Sequence, residues 1–139
     1  MGIKNEKPEL LIQSDLVTQT ALVAAGAHPD FPLCLPELSE LYSSLNGVRL
    51  RPRQAIEQKA SGMRAGVPDL HLPIGREGYL SFYLEMKVPG GTVSKIQKEV
   101  HAALRRQGNR VGVYYSAASA LVALIEYAQG VPTHARREQ

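Results

Sequence analysis

The sequence predicts an α/β domain with a small mixed β-sheet flanked by helices. Three observations predict it. Stretches of alternating character at 69–73, 79–87 and 110–115 read as strands. Between and around them lie stretches whose apolar residues recur every three or four positions, as on one face of a helix. The last strand follows its predecessor through a helix, the arrangement of a parallel crossover. With 139 residues, 44% of them apolar, the chain suits one domain with one core. That domain is expected over 1–139, with its core at about 14–130 and a loose tail at 131–139.

Taken in order, "SDLVTQTALVAAGA" reads as a helix with Ser14 as N-cap and Gly26 as its stop. "PELSELYSSL" reads as a short helical turn leading into an extended "SLNGVRL", with a turn at Asn46-Gly47. "RPRQAIEQKASG" is helical after Pro52, which suits a first helical turn, and ends at Gly62. "DLHLP" and "YLSFYLEMK" form a hairpin around "IGREG". "SKIQKEVHAALRRQG" carries a capping box, Ser94 with Gln97, and a stop at Gly108. Its residues Ile96, Val100 and Leu104 predict one buried stripe. "RVGVYY" is a strand, and "ASALVALIEYAQG" a last helix with Leu121, Leu124, Ile125 and Ala128 inward.

The composition narrows the function classes. "MGIKNEKPELLIQ" has no apolar run of a signal peptide, and no stretch has the length of a membrane helix. The expectation is a cytoplasmic protein without a membrane partner. Cys34 is the only cysteine, which excludes an internal disulfide and a cysteine-based zinc cluster. It is expected to be a small packing residue. The net charge of +3 is unevenly spread: residues 1–47 carry a net −4, while 48–64 carry a net +4. The positive block is Arg49, Arg51, Arg53, Lys59 and Arg64 against Glu57. It reads either as a phosphate-contacting surface or as a solvated helix face.

Alternation along 79–87 puts Leu80, Phe82, Leu84 and Met86 on the core face. The other face then presents Tyr79, Ser81, Tyr83, Glu85 and Lys87. A hairpin centred on Glu77 sets Asp69 opposite Glu85. Directly opposed residues have Cβ atoms about 4.5–5.5 Å apart, so two unshielded carboxylates there repel. A divalent cation between hard oxygen ligands resolves the repulsion. Asp69 and Glu85 are therefore candidate metal ligands, with Lys87 beside them. An exposed Glu-x-Lys ion pair and a turn aspartate after Pro68 are the ordinary alternatives for each motif alone.

"KASGMRAGVPDL", "FYLEMK", "SKIQKEVHAALRRQG" and "RVGVYYSAASAL" together resemble the VRR-NUC domain of the PD-(D/E)xK nuclease superfamily. The similarity runs from about Ser14 to Gly130. The domain is found in the Fanconi-associated nuclease and in small stand-alone proteins of phages and prophages. The resemblance implies a restriction-endonuclease-like core and hydrolysis of DNA phosphodiesters with Mg²⁺ or Mn²⁺. Asp69, Glu85 and the backbone carbonyl of Met86 are the implied metal ligands, and Lys87 the catalytic lysine. Gln97 matches the family's glutamine on the following helix, although the capping box also claims it. The family has a glutamate on its first helix; Asp15 stands at that place, one methylene shorter, with Gln19 on the same helix face. His71 and His101 are possible cleft residues. Stand-alone members resemble Holliday-junction resolvases, which implies branched or duplex DNA as partner and a twofold homodimer. The alternative is a non-catalytic DNA-binding module, or a nuclease subunit that needs a larger partner.

Overall fold

Strand pairing divides the sheet into two dissimilar faces, and the site is built on the less apolar one. A computed structural model of the chain describes residues 8–44 and 51–134. Asn46-Gly47 and Arg49 lie outside the described residues. The elements are α1 (Pro8–Ala24), a 3₁₀ turn (Pro36–Glu40), β1 (Tyr42–Ser43), α2 (Pro52–Ala60), β2 (Leu70–Leu72), β3 (Phe82–Met86), α3 (Lys95–Arg106), β4 (Arg110–Tyr114) and α4 (Ala117–Ala128). The sheet order is β1-β2-β3-β4. β1–β2 and β2–β3 pair antiparallel, and β3–β4 pair parallel through the α3 crossover. No helix of the described residues is long and apolar enough to cross a membrane.

The hairpin register is the one the sequence predicts: Leu70 pairs with Leu84, His71 with Tyr83 and Leu72 with Phe82. Leu70, Leu72, Phe82, Leu84 and Met86 are all buried on one face. Against them pack Leu16 and Val23 of α1 and the inward side of α4, including Leu121, Leu124 and Ile125. Ala117, Ala120, Ala123 and Ala128 keep α4 slim, so it lies close against its neighbours in the core.

Four local readings are corrected. Helix α1 begins at Pro8, not at Ser14, which is an exposed mid-helix residue. Pro8 in the first turn and the acidic Glu9 beside it are the stronger start signal. Leu80 is 61% exposed because the chain reaches it before pairing begins; it lies over Gly108 and donates its backbone N–H to the Gly108 carbonyl. Ile96 is also exposed, and the buried residues of α3 are Val100 and His101. Ile96 faces the loop before β2 instead of the sheet. Gly66 in that loop has φ +86°, and a Cβ there would stand 2.7 Å from Ile96 Cγ2 and 3.0 Å from the Ile96 carbonyl. Only glycine fits so close an approach at that φ, and the approach seats the loop that delivers Asp69 against α3. Cys34 is exposed rather than packed in the core, and its Sγ donates to the Ala24 carbonyl at 3.3 Å.

Candidate active site

Asp69 leaves the loop one residue before β2, and Glu85 lies near the end of β3. The register brings them side by side, and the backbone ties them together. The Asp69 N–H donates to Glu85 Oε2 at 3.2 Å, and the Met86 N–H donates to Asp69 Oδ2 at 2.8 Å. Glu85 is 1% exposed. It lies on the face opposite the apolar core, so alternation alone did not predict its burial. The cover is α3, whose Gln97 amide Nε2 donates to Glu85 Oε1.

Gln97 makes the capping-box contacts and, with the same amide, contacts to Lys87 and Glu85. Its Oε1 accepts from the Ser94 N–H at 2.9 Å, closing the capping box, and from Lys87 Nζ at 3.0 Å. The Ser94 hydroxyl completes the box by accepting from the Gln97 N–H. One amide therefore joins a helix cap, a lysine and a buried carboxylate. Lys87 Nζ also stands 3.7 Å from Glu85 Oε1, with only 13% of its side chain exposed.

Burial and the neighbouring Asp69 charge push Glu85 up to about 8, against the smaller opposing pull of Lys87. Burial also raises Asp69, partly offset by the hydrogen bond from Met86. The two carboxyls therefore hold a proton between them near neutrality. Among the described residues, no three His, Cys, Asp or Glu side chains converge on one point. The donor set is thus two carboxylates, both hard oxygen. That set fits Mg²⁺, which keeps several waters and binds through one or two carboxylates plus substrate phosphate. Soft or nitrogen-rich coordination does not fit it.

Asp15 is not among the charges that act on Asp69. It is exposed and accepts from Gln19 Nε2 at 3.1 Å, and Gln19 Oε1 pairs with His28 at 3.1 Å, on another side of α1. The first-helix acid on the site side is Glu9, whose charge raises Asp69. Glu9, Gln13, Leu16, Thr20 and Val23 follow one stripe, and Gln13 Nε2 donates to Ser43 Oγ of β1 at 3.2 Å. The signal was in the sequence: this spacing extends the buried stripe back past Ser14 to the residue after Pro8.

The basic block divides. Lys59 lines a hollow of about 260 Å³ together with Met63, Gly66, Val67, Asp69 and Gln97. Arg64 lines an adjoining hollow that shares Met63 and Val67. Arg51 is exposed at the start of α2. Arg53 pairs with Glu57 at 3.4 Å, with both side chains largely in solvent. His101 is buried one turn beyond Gln97, and its Nε2 has no hydrogen-bond partner among the described residues. Burial and the charges of Arg105 and Lys87 hold it below the ordinary histidine value. His71 lies on the site face, stacked on Tyr83. Met86 keeps its side chain in the core while its backbone faces the pair.

The raised Glu85 value predicts a pH dependence of stability. The folded protein holds a proton there that the unfolded chain releases near the ordinary value of 4.5. The resulting stabilisation is complete below about 4.5 and is lost as pH rises through about 8. In EDTA, the melting temperature contribution of this pair falls across that window. Glu85→Gln keeps an acceptor for Gln97 without the titration, so its melting curve flattens there. Thermal denaturation at a series of pH values checks this.

Comparison with known families and structures gives the family and the fold. The family model described as "VRR-NUC domain" matches residues 5–118. That span begins before Ser14 and takes in Glu9. A solved structure described as "VRR_NUC domain protein" has the same fold, with a TM-score of 0.68 and 18% identity, covering 97% of this chain and 99% of that one. No curated protein matches the chain.

Proposed function

Because the chain belongs to the VRR-NUC family, a family of nuclease-type domains, we propose that it is a metal-dependent nuclease hydrolysing DNA phosphodiester bonds. The observation that carries the proposal is the paired Asp69 and Glu85, opposed across β2 and β3 and joined through Gln97 to Lys87. Mg²⁺ or Mn²⁺ between the carboxylates would supply charge for the scissile phosphate and acidify a bound water. Asp69, Glu85 and the Met86 carbonyl would hold it, with Glu9 adding negative potential from α1.

The residues of the chain perform the remaining tasks. Gln97 holds Glu85 and Lys87 in one fixed geometry, so no reorganisation is needed when substrate arrives. Lys87 lies beside the carboxylates with its ammonium partly withdrawn from water. There it neutralises a phosphate oxygen or orients the attacking water. The hollow lined by Lys59 and Met63 receives the DNA backbone next to Asp69. A twofold homodimer acting on branched DNA such as a Holliday junction is the assembly we propose, since two symmetric cuts need two copies of one site.

Junction, flap, duplex and single-stranded DNA, each with Mg²⁺, Mn²⁺ or EDTA, test the activity. Asp69→Ala abolishes cleavage. Lys87→Ala lowers the rate by about 100-fold or more while DNA affinity changes little. Loss of cleavage by the wild-type chain on every substrate, with DNA binding retained, would instead favour a binding module or a subunit of a larger nuclease.

The divided basic block gives a second expectation. Lys59→Ala weakens binding to all duplex sequences alike and reduces the log–log salt slope by roughly 0.9. Arg53→Ala leaves both unchanged, because that guanidinium is paired with Glu57 in solvent. Fluorescence anisotropy over a salt series separates the two variants.

A further inference from the structure

The open part of the site face carries a ring cluster that the hydrolytic chemistry leaves unused. His71 and Tyr83 are cross-strand partners with rings stacked at 3.9 Å and 12°. Tyr42 of β1 stands edge-on to His71 at 5.2 Å and 78°. His71 follows Asp69 by two residues and Tyr83 precedes Glu85 by two. Two residues along a strand is about 6.6 Å on the same face, so the rings adjoin the carboxylates. β1 is the edge strand of the sheet, and Tyr42 is 52% exposed.

A chain of hydrogen bonds locks these rings. Ser81 Oγ donates to Asn109 Oδ1 at 2.6 Å, and Asn109 Nδ2 donates to the Leu104 carbonyl at 3.1 Å. The single Ser81 hydrogen is thereby used, so its oxygen accepts from His71 Nε2–H at 2.9 Å. His71 Nδ1 is then the acceptor for the Tyr42 hydroxyl at 2.7 Å. An exposed aromatic side chain, held rigid on three strands beside a phosphate-handling site, has the properties of a base-stacking platform. Rigid rings bind a base without losing rotamer freedom, and every base offers a π-face.

We propose that Tyr42, supported by His71 and Tyr83, binds an unpaired nucleobase adjacent to the scissile phosphate. This gives the protein a preference for a single-stranded stretch next to the cut. A paired base is stacked inside its duplex and is not available to the ring. The proposal rests on the nuclease reading only for the position of the phosphate. The cations lining the adjoining hollows, Lys59 and Arg64, suit the backbone on either side of the extruded base.

The test uses the full chain in EDTA and two DNA probes. One is a duplex with a short single-stranded gap containing 2-aminopurine, and the other is the same sequence fully paired. Wild type binds the gapped probe more tightly and quenches its fluorescence. Tyr42→Ala loses about ten-fold in affinity for the gapped probe, the order of one lost base stack, and binds the paired probe as before. Tyr42→Phe keeps both the quenching and the preference. Tyr42→Leu, which retains apolar bulk on the edge strand, behaves as the alanine variant. Equal loss on both probes, or no loss in the alanine and leucine variants, overturns the platform and leaves the rings as sheet packing. If wild type with Mn²⁺ cleaves neither probe and no junction, flap or single-stranded DNA while the ring-dependent preference persists, the nuclease reading fails and the platform stands. Cleavage without any gap preference overturns the platform alone.

Discussion

Two carboxylates placed opposite each other are the constraint around which the site is organised. The hairpin register sets Asp69 beside Glu85, and like charges so placed repel. The fold meets this repulsion in three ways at once. The Asp69 N–H donates to the Glu85 carboxylate, and the Met86 N–H donates to the Asp69 carboxylate. Gln97 donates to Glu85 from α3. Burial and the Asp69 charge also raise Glu85 to about 8, which favours a proton on the pair. A buried carboxylate left fully charged without a cation costs far more than one that is protonated. Burial and the Asp69 charge therefore favour the protonated form of Glu85 near neutrality.

The position of α3 follows from the same constraint. Its N-terminus is fixed by a capping box whose glutamine is also the carboxylate's partner. Helix cap and site geometry cannot be varied separately, since a change at Gln97 opens both. The Gly66 loop fixes the opposite side of the pair, because it seats against Ile96 and Val100 of the same helix. Asp69 and Gln97 thus reach the hollow from two segments held by one contact. Lys87 completes the set from the end of β3, where the chain leaves the sheet.

Much of this was legible in the sequence for simple reasons. Strand alternation and hairpin symmetry placed Asp69 against Glu85, and the S-x-x-Q spacing placed Gln97 at a helix start. These signals are local, or depend on one turn, so tertiary context has little room to alter them. The misreadings arose where a local signal had a stronger competitor. Ser14 resembles an N-cap, but Pro8 and Glu9 start the helix earlier, and with that shift the site-facing acid became Glu9 instead of Asp15. Ile96 fits the helical stripe, yet the approach of Gly66 draws it away from the sheet. Within the basic block the Arg53–Glu57 pair has local i,i+4 spacing, whereas the place of Lys59 beside Asp69 and Gln97 depends on where α2 lies. The link from Tyr42 to Asn109 joins residues far apart in the chain and left no mark in local pattern.

The central claim is that a proton shared by Asp69 and Glu85 gives way to a divalent cation. Calorimetric titration with Mn²⁺ at about pH 7, in two buffers of different ionisation enthalpy, counts the protons released per bound ion. The account predicts release of close to one proton, because ligand carboxyls must deprotonate to bind metal, and no release from Glu85→Gln. Mn²⁺ binding without proton release in the wild-type protein, or undiminished binding in Asp69→Ala, would contradict it.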